Sequence, residues 1–427
     1  PATGVSPICL GITVWNNDPT MLAPSQQLTR RSDPARPGVA IISNAQTPYR
    51  LHLHRRIARE IPEIQLWSVF THETSNAPWA FADPQEIGPV SFGKGESSDD
   101  QPKPSRAPRE WRRAGRIIKW MRSQNVRFVV MMGYNDAGRV RIIRWCRKNG
   151  IPCWLFGDSN ILCDHESGMK ATLKRILVGQ VVQWCDGILS CGTLGRDYFA
   201  KYGADPNRCF YFPYEPDYDL IQSQTPQEIE AVRQRFDLDP ARRRIVFSGR
   251  LTRVKRADLL IDAFAALAAA RPDWDLLVIG DGELKESLAT RLGPALACRS
   301  KWTGFLDDQA TVGALYRLSD VLVLPSDHEP WALVINEAAA AGLAIVSSHV
   351  VGASAELVRD GINGRIFAAG DLKGLTDCLL DVASPAKTDA MKAASAQILS
   401  DWRRRGDPVA GLRNALAASG ILHAKGA

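Results

Sequence analysis

The chain has 427 residues, of which 45% are hydrophobic, so it is long enough for two or three domains with buried cores. No apolar run approaches the roughly 18 residues of a membrane span, which excludes a transmembrane protein, and we expect no signal peptide. Nine cysteines without a Cys-x-x-Cys pair favour reduced thiols in a cytosol over a disulfide framework.

Positive charge is concentrated in the first half of the chain. Residues 1–215 carry 28 Lys and Arg against 19 Asp and Glu, whereas residues 216–427 carry 25 against 27. The most basic stretch, 103–148, holds 14 basic and 2 acidic side chains. Such a surface attracts the phosphates of nucleic acid, lipid headgroups or a lipid diphosphate. Because no aromatic stacking platform or known binding module accompanies the charge, we expect no nucleic-acid partner.

Helix and strand patterns alternate along the first half. Residues 1–37 are rich in Pro, Thr, Ser and Asn with little periodicity, and they are predicted to form a loosely ordered extension. Residues 72–108 hold many Pro, Gly, Ser and Asp and are predicted to form a long loop. Apolar runs predict strands at 39–42, 64–70, 128–132, 153–156 and 187–190, and helical patterns cover 50–61, 111–121, 139–148 and 173–184.

A second alternating set follows residues 213–217, the best linker candidate. Strands are predicted at 245–247, 276–279 and 321–324, and the chain is predicted to be helical from about 386 to 418. This order predicts an α/β protein with two Rossmann-like, doubly wound parallel-sheet domains that face each other across a cleft. The predicted segments are the extension 1–37, a first domain 38–213, a second domain 214–400 and a helical end 401–427.

Two glutamates eight positions apart, Glu329 and Glu337, flank the start of a predicted helix. A buried strand, 321–324, leads into this stretch and a helical run, 336–341, leaves it. Free N–H groups at a helix start suit a phosphate, and a neighbouring carboxylate can accept hydrogen bonds from sugar hydroxyls. A sugar nucleotide carries both kinds of group, but two surface glutamates on a loop would give the same local pattern.

Other polar positions follow neighbouring predicted strands. Arg250 and Lys255 follow strand 245–247, with Gly249 before them, and this combination can hold an anion. The rest of the series, in chain order, is Gly280-Asp281-Gly282-Glu283, Thr303-Gly304-Phe305, Glu356 and Asn363-Gly364.

In this order the motifs resemble those of the family 4 glycosyltransferases, the retaining group built on the two-domain GT-B fold. Glu329 and Glu337 match the family's E-x7-E motif, and the resemblance is strong over 245–367 and weaker over 39–215. It implies an enzyme that moves a sugar from a UDP- or GDP-sugar to a hydroxyl, with retention and without a metal or other cofactor. It also implies that the helical end, 401–427, crosses back to the first domain.

The resemblance and the residue chemistry together give the second-domain candidates their roles. Arg250 and Lys255 are expected to stabilise the leaving diphosphate, because bond cleavage places negative charge there. Glu329 is expected to hold the donor sugar, Glu337 to hold the ribose hydroxyls, and Glu356 to be structural. The other residues expected to bind the donor are Gly249, Asp281, Phe305, His328, Trp331, Ala332, Leu333 and Val334.

The first domain is expected to bind the acceptor at its strand ends, through Thr47, Tyr49, Arg50, His72 and Asn135. Residues 47–50 are similar to the Pro-Tyr-Arg loop of many bacterial family members. Many relatives have a histidine where this chain has Phe156-Gly157-Asp158. We therefore assign Asp158 as the catalytic residue of this domain, with His72 as the alternative, and either could instead cap a loop.

The basic first domain and the resemblance suggest a lipid-linked saccharide acceptor, made for a bacterial surface polysaccharide. Two tryptophans among the cations of 111–120 favour docking on an anionic membrane from the cytoplasmic side, although ordinary surface charge gives a similar pattern. Two alternatives stay open. One is a glycosyltransferase with a soluble small-molecule acceptor, and the other is a non-catalytic subunit that binds sugar nucleotides.

Three other possible motifs lack the sequence context that their function would require. Residues 88–95 have the spacing of a phosphate-binding Walker loop, but Gly95 stands where Ser or Thr is required and no predicted strand precedes it. No G-x-G-x-x-G follows strand 39–42, which argues against a nicotinamide enzyme. The cluster 163–166 has no second cysteine pair, so we expect it to be structural rather than a metal site.

Overall fold

The computed structural model describes Asp33, residues 35–75, Ala82, residues 84–99, Gln101 and residues 103–423. Most of the predicted extension over 1–37, and part of the predicted loop over 72–108, lie outside the described residues. All described residues fall within one compact unit, Ser32–Ala427.

The first sheet has seven parallel strands in the order β3-β2-β1-β4-β5-β6-β7. Every residue of the interior strand β1 is buried, which explains why that strand is a largely apolar run in the sequence. The strands are β1 (Gly38–Ser43), β2 (Gln65–Phe70), β3 (Val90–Ser91), β4 (Val126–Met132), β5 (Cys153–Gly157), β6 (Gly187–Ser190) and β7 (Cys209–Tyr211). The accompanying helices are α1 (Pro48–Glu60), α2 (Ala107–Ser123), α3 (Ala137–Lys148), α4 (Gly168–Trp184) and α5 (Thr193–Lys201).

The second sheet has six parallel strands in the order β10-β9-β8-β11-β12-β13. They are β8 (Arg243–Ser248), β9 (Trp274–Ile279), β10 (Ser300–Gly304), β11 (Val321–Leu324), β12 (Ala344–Ser348) and β13 (Gly364–Phe367). The helices from the linker to the last strand are α6 (Tyr218–Gln222), α7 (Pro226–Arg235), α8 (Ala257–Ala270), α9 (Lys285–Leu292), α10 (Pro294–Ala297), α11 (Gln309–Arg317), α12 (Leu333–Ala340) and α13 (Ser354–Leu357). Three helices end the chain, α14 (Leu372–Val382), α15 (Pro385–Arg405) and α16 (Pro408–Ala418).

The predicted fold class is confirmed, since two parallel sheets follow one another and helices connect their strands. In each sheet the strand order reverses once, between β1 and β4 in the first and between β8 and β11 in the second. In open α/β sheets the crevice at the carboxyl ends of the strands on either side of such a point receives the ligand. We therefore expect a ligand site among the residues that follow these four strands.

Two local predictions were wrong. The loop predicted over 72–108 contains β3, which pairs with the end of β2, and its last two residues already belong to α2. The helix predicted from 336 begins three residues earlier, at Leu333. Both errors have a tertiary cause, because a two-residue strand is stabilised by its neighbour and a helix start by the loop before it.

The end of the chain packs on the first sheet rather than the second. Helix α16 contacts α1, β6 and β7. Just beyond it, the hydroxyl of Ser419 accepts a hydrogen bond from the indole of Trp154 in β5 at 2.9 Å. Arg413 forms an ion pair with Glu63 at 2.8 Å. These contacts tie the two sheets together, since α15 packs on the second. Among the described residues no helix has the length and apolarity to cross a bilayer.

Candidate functional site

The turns after β8 and β9 lie against each other at the carboxyl edge of the second sheet. Gly249 N–H donates to the Ile279 carbonyl at 3.0 Å, and Leu251 N–H donates to the Asp281 carbonyl at 2.9 Å. A Cβ on Gly280 would lie 2.0 Å from the Gly249 carbonyl oxygen, so this approach requires glycine. The packed turns hold Arg250 and Asp281 at the same edge.

Lys255 and Glu329 form an ion pair at this edge. Lys255 lies in a single 3-10 turn, Arg253–Lys255, and Glu329 lies in the loop after β11, where it is 8% exposed. A backbone hydrogen bond from Asp327 N–H to the Val254 carbonyl, 2.9 Å long, joins the two loops. Two residues that were predicted separately, for the diphosphate and for the sugar, are thus neighbours.

The start of α12 lies next in the chain. Ala332 precedes the helix with φ 77°, a left-handed conformation that is uncommon for a residue with a Cβ. Ile335 N–H donates to the Ala332 carbonyl at 3.1 Å, which leaves the amides of Leu333 and Val334 at the free end of the helix. This helix end can hold an anion, because its N–H groups and macrodipole both favour negative charge.

Glu337 is half-buried in α12, one helical turn beyond that end. Its carboxylate accepts a hydrogen bond from the Tyr316 hydroxyl at 2.9 Å. Burial raises the pKa of the Glu337 carboxyl to about 7, although the Tyr316 hydrogen bond opposes the shift. The carboxyl therefore changes protonation near neutral pH and keeps acceptor positions for further hydroxyl groups.

The remaining donor candidates of the second domain are more exposed. The Arg250 side chain is exposed, and among the described residues it has no hydrogen-bond or ion-pair partner. Asp281 accepts from Lys285 at 2.9 Å, and this hydrogen bond lowers the pKa of its carboxyl. Phe305, just after β10, is 46% exposed, and His328 is also exposed. An exposed cation and an exposed ring at one sheet edge can contact the phosphates and the base of a nucleotide.

Asp158, at the end of β5 in the first domain, lies close enough to the second domain for their charges to interact. Burial raises the pKa of the Asp158 carboxyl, and the positive charge of Arg50 opposes the rise. The Glu329 carboxylate adds to the rise and His328 reduces it, so both act on Asp158 from the opposite domain. Two residues further along the same loop, the Asn160 side chain donates to the Glu329 carbonyl at 3.5 Å, so the loop after β5 reaches the Glu329 loop across the cleft.

A polar cavity of about 500 Å³ opens beside Asp158 in the first domain. Arg50 donates to the Asn44 side chain at 2.8 Å and to the Ala45 carbonyl at 2.7 Å. Its guanidinium also lies 5.6 Å and 5.8 Å from the ring centres of Tyr49 and Tyr214. The cavity is lined by Thr47, Tyr49, Arg50, Asn135 and Asp158, together with Tyr214 and Arg139, which the sequence analysis missed.

His72 does not line this cavity. It is 2% exposed, and its ring nitrogens lie 2.8 Å from Arg113 and 2.9 Å from the Thr71 hydroxyl. Arg113 is itself buried, and it also pairs with Glu96 and Glu110. A buried guanidinium needs such partners, so His72 belongs to a charge network below the surface and is not placed to contact an acceptor.

Arg113 of this network belongs to the basic helix α2, which was predicted to dock on a membrane. Arg113 is buried, and Trp120 packs edge-on against Trp67 at 5.4 Å between ring centres. Trp111 is 47% exposed, but the guanidinium of Arg141 covers its ring at 4.7 Å. Of the two tryptophans on α2 that were predicted to suit a membrane interface, only Trp111 is exposed, and its ring is already in contact with the Arg141 cation.

Hydrogen bonds between the domains fix the cleft. The Trp331 indole donates to the Tyr214 carbonyl at 3.2 Å, and the Asn160 side chain donates to the Val350 carbonyl at 2.9 Å. Glu356 is 3% exposed and accepts from Thr193 N–H at 2.7 Å and from Arg405 at 2.6 Å. Trp331 thus takes part in domain packing, and Glu356 has a structural role. No local signal in the sequence identified the linker residue Tyr214 as part of the site.

Among the described residues, no group of three or more His, Cys, Asp or Glu side chains could hold a metal ion. One acidic residue of the cluster over 163–166 is used in ion pairs, because Asp164 binds Lys174 at 2.6 Å and Lys201 at 2.8 Å. At the candidate site, Arg250 and Lys255 carry positive charge.

Comparison with known proteins finds a family model that matches part of the second domain. Residues 242–384 match the model described as glycosyl transferases group 1. The chain is 34% identical to the lipopolysaccharide core biosynthesis mannosyltransferase LpsB of Rhizobium meliloti over 37% of this chain and 46% of the relative. It is 31% identical to the D-inositol 3-phosphate glycosyltransferase of Rhodococcus opacus over 52% of this chain and 50% of the relative. The chain thus spans about half the length of the curated relatives it matches.

A solved structure extends the likeness to the whole fold. The structure of Anabaena HepE in complex with UDP and glucose superposes with a TM-score of 0.67 and 18% identity, covering 91% of this chain and all of that one. Because the identity is only 18%, this match supports a shared fold and nothing further. The GT-B fold and the family resemblance drawn from the motifs are both confirmed.

Proposed function

We propose that this chain, whose residues 242–384 form a glycosyl transferases group 1 domain within a GT-B fold, transfers a sugar from a nucleotide diphosphate donor to a hydroxyl acceptor. One observation carries the proposal. Glu329 pairs with Lys255, and the loop after β5 reaches the Glu329 loop through the hydrogen bond from the Asn160 side chain to the Glu329 carbonyl. Asp158, two residues before Asn160, lines the polar cavity on the first-domain side. This arrangement offers an anion site and a hydroxyl site on either side of one reacting carbon.

The donor occupies the edge of the second sheet in this proposal. Arg250 and Lys255 bind the diphosphate together with the amides of Leu333 and Val334, and Glu337 accepts hydrogen bonds from the ribose hydroxyls. Without a donor, Lys255 neutralises Glu329. When the diphosphate is bound, Lys255 is shared with the phosphate oxygens, and Glu329 becomes available to the sugar hydroxyls.

Two side-chain cations and a helix end supply the positive charge that the leaving diphosphate needs, so the proposed reaction requires no metal. The bond from the anomeric carbon to the phosphate oxygen breaks, and a bond from that carbon to the acceptor oxygen forms. The family resemblance supports retention, with the acceptor hydroxyl attacking from the face of the leaving group and its proton passing to the departing phosphate. Asp158 lies where it can orient that hydroxyl.

The acceptor enters the first-domain cavity. The Thr47 hydroxyl and the Arg50 Nε there are buried and have no hydrogen-bond partner among the described residues. Buried polar groups are nearly always satisfied, which makes these two atoms suited to an incoming saccharide. We propose a lipid-linked saccharide of a bacterial surface polysaccharide, with the protein on the cytoplasmic side of the membrane. Two observations support this, the excess positive charge of residues 1–215 and the similarity to LpsB.

A second candidate is a soluble phosphorylated acceptor, because several matched relatives are D-inositol 3-phosphate glycosyltransferases. Arg139, which lines the cavity beside Arg50, pairs with Asp136 at 2.6 Å. Most of its charge is therefore already compensated, which favours a neutral saccharide over a free phosphate in the cavity.

The test combines donor binding with transfer. Thermal shifts with a panel of UDP- and GDP-sugars should rise for one donor family, because binding to the folded state stabilises it by mass action. The selected radiolabelled donor is then offered to a lipid-linked saccharide and to inositol phosphate. Transfer to the lipid fraction with the anomeric configuration kept supports the proposal, and an inverted product contradicts retention. Selective binding with neither transfer nor donor hydrolysis would identify a non-catalytic subunit instead.

A further inference from the structure

Helix α4 in the first domain presents an uncovered apolar face. Met169, Leu173, Ile176 and Leu177 are 88%, 57%, 63% and 59% exposed. Their spacing of four, seven and eight residues from the first places them on one side of the helix. Large apolar side chains that are exposed together in this way mark an interaction surface.

The opposite side of the same helix faces the domain core. Val178, Val181 and Val182 are buried there, so α4 is apolar on two sides rather than one. A helix that is apolar all round is normally covered on every side. Among the described residues nothing covers the outer face of the first half of α4, so in that part of the chain the face is open to an interaction.

Cations surround this outer face. Within α4 there are three basic residues, Lys170, Lys174 and Arg175, and no acidic one. Lys170 and Arg175 are exposed, whereas Lys174 is paired with Asp164. The nearest acidic residue before the helix in sequence is Glu166. An apolar stripe bordered by free cations is complementary to a bilayer surface with anionic headgroups.

The face continues into a groove that leads to the acceptor cavity. The groove has a volume of about 740 Å³ and is lined largely by apolar side chains, among them Val140, Leu173, Leu177 and Trp184. Gln101 and Asn135 line both this groove and the polar cavity beside Asp158. A molecule held at the outer face of α4 is therefore next to the proposed acceptor site.

We propose that the outer face of α4 docks on an anionic lipid bilayer. Met169, Leu173, Ile176 and Leu177 insert among the acyl chains, while Lys170 and Arg175 contact the headgroups. A second copy of the chain fits this face less well, because the cations beside the two stripes would repel each other. The surface is separate from α2, whose tryptophans are packed or covered. Its use in catalysis rests on the proposed function, since docking would bring a membrane-borne acceptor to the cavity.

The test measures binding of the full chain to vesicles. Vesicles of phosphatidylglycerol and phosphatidylcholine should bind the protein at low salt, whereas phosphatidylcholine alone should bind it weakly. The double variant Leu173→Gln/Ile176→Gln should raise the apparent Kd for the anionic vesicles at least about tenfold, because it removes two inserting side chains. The matched control is Leu372→Gln/Leu380→Gln on α14, where two exposed leucines, 37% and 41% exposed, lie on the other domain. This control should bind as the unmodified chain does.

A charge variant and a donor assay keep the test decisive. Lys170→Glu/Arg175→Glu changes only exposed positions and should weaken binding to anionic vesicles while leaving the UDP thermal shift unchanged. The docking proposal is overturned if the unmodified chain ignores anionic vesicles or if the α4 variants bind them normally. It is also overturned if those variants instead abolish self-association in sedimentation velocity. If no UDP- or GDP-sugar shifts the melting temperature of the unmodified chain while its vesicle binding is intact, the proposed function fails and docking stands.

Discussion

The donor edge of the second sheet and the acceptor cavity of the first are assembled in different ways. At the donor edge, the shape is set by backbone hydrogen bonds between short loops, such as Leu251 to Asp281, and by glycines at points of close approach. At the acceptor cavity, side chains from distant segments hold each other, as Arg50 does beside the contacting rings of Tyr49 and Tyr214.

This difference explains which residues a sequence motif can identify. A loop shaped by its own backbone needs particular residues at fixed spacings, and those spacings form the motif. The cavity also draws on side chains outside the strand-end loops, such as Tyr214 and Arg139, which no local motif identified, although Thr47, Tyr49, Arg50, Asn135 and Asp158 were predicted. Changes at the donor edge should therefore act on chemistry and donor affinity, and changes at the cavity should act on the acceptor alone.

The largest effect is expected from Arg250→Ala. Removing one of two cations from the leaving diphosphate should lower kcat of transfer about 10²- to 10³-fold. Because the Arg250 side chain has no hydrogen-bond or ion-pair partner among the described residues, the melting temperature should not change. The matched control is Lys301→Ala, an exposed cation of the same domain paired with Asp237, which should leave kcat unchanged. An equal loss in both variants would assign the effect to overall charge.

Glu337→Gln should weaken UDP binding at least about tenfold, since the carboxylate loses charge-assisted hydrogen bonds to the ribose. The binding should also depend on pH, because the Glu337 pKa is raised to about 7 and only the ionised form accepts both hydroxyls. The UDP thermal shift should accordingly be larger at pH 8 than at pH 6 in the unmodified chain and flat in the variant.

The donor-free protein should show the opposite trend. A carboxyl whose folded pKa is raised favours the folded state at low pH, and this contribution is lost as pH rises toward about 7. Unmodified protein without UDP should therefore lose stability between pH 5 and 8 relative to Glu337→Gln. A UDP response with no pH dependence would remove the ribose role from Glu337.

Arg50→Ala tests the other half of the comparison. It should raise KM for the acceptor about tenfold by removing hydrogen bonds in the cavity, and it should leave Kd for UDP unchanged. Arg50→Lys should not restore the acceptor KM, because an ammonium cannot reproduce the fixed fork of guanidinium N–H donors that bonds Asn44 and Ala45 and leaves Nε for the acceptor. A change in UDP affinity would show that the two halves of the site are coupled more tightly than their construction suggests.

The smallest expected effect is at Ala332. Glycine at this left-handed position should raise the free energy of unfolding by about 1 kcal/mol, measured by chemical denaturation, because the Cβ strain disappears. Ala340→Gly, at the last residue of the same helix, is the matched control and should lower it by up to about 1 kcal/mol, the cost of glycine in a helix interior. Stabilisation by both variants would mean that α12 tolerates glycine generally and that Ala332 stores no strain.

The errors of the sequence analysis share a cause. His72 was predicted to bind the acceptor because it follows a strand, but its ring is hydrogen-bonded to the buried Arg113, forty-one residues away. Tyr214 was placed in a linker, yet its ring lines the cavity and its carbonyl binds Trp331. In both cases a partner distant in sequence decides whether a polar side chain faces the cleft or the interior.

The sequence by itself determined the two parallel sheets and the donor loops, because strand hydrophobicity, glycine turns and an E-x7-E spacing are local requirements of the backbone. Only the tertiary structure decided that Lys255 pairs with Glu329, that Asn160 contacts the Glu329 carbonyl, and that no described residue covers the outer face of α4. Those outcomes depend on which surfaces come into contact when the chain folds. Burial and charge pairing are set by contacts between distant segments, so no single segment of the sequence determines them.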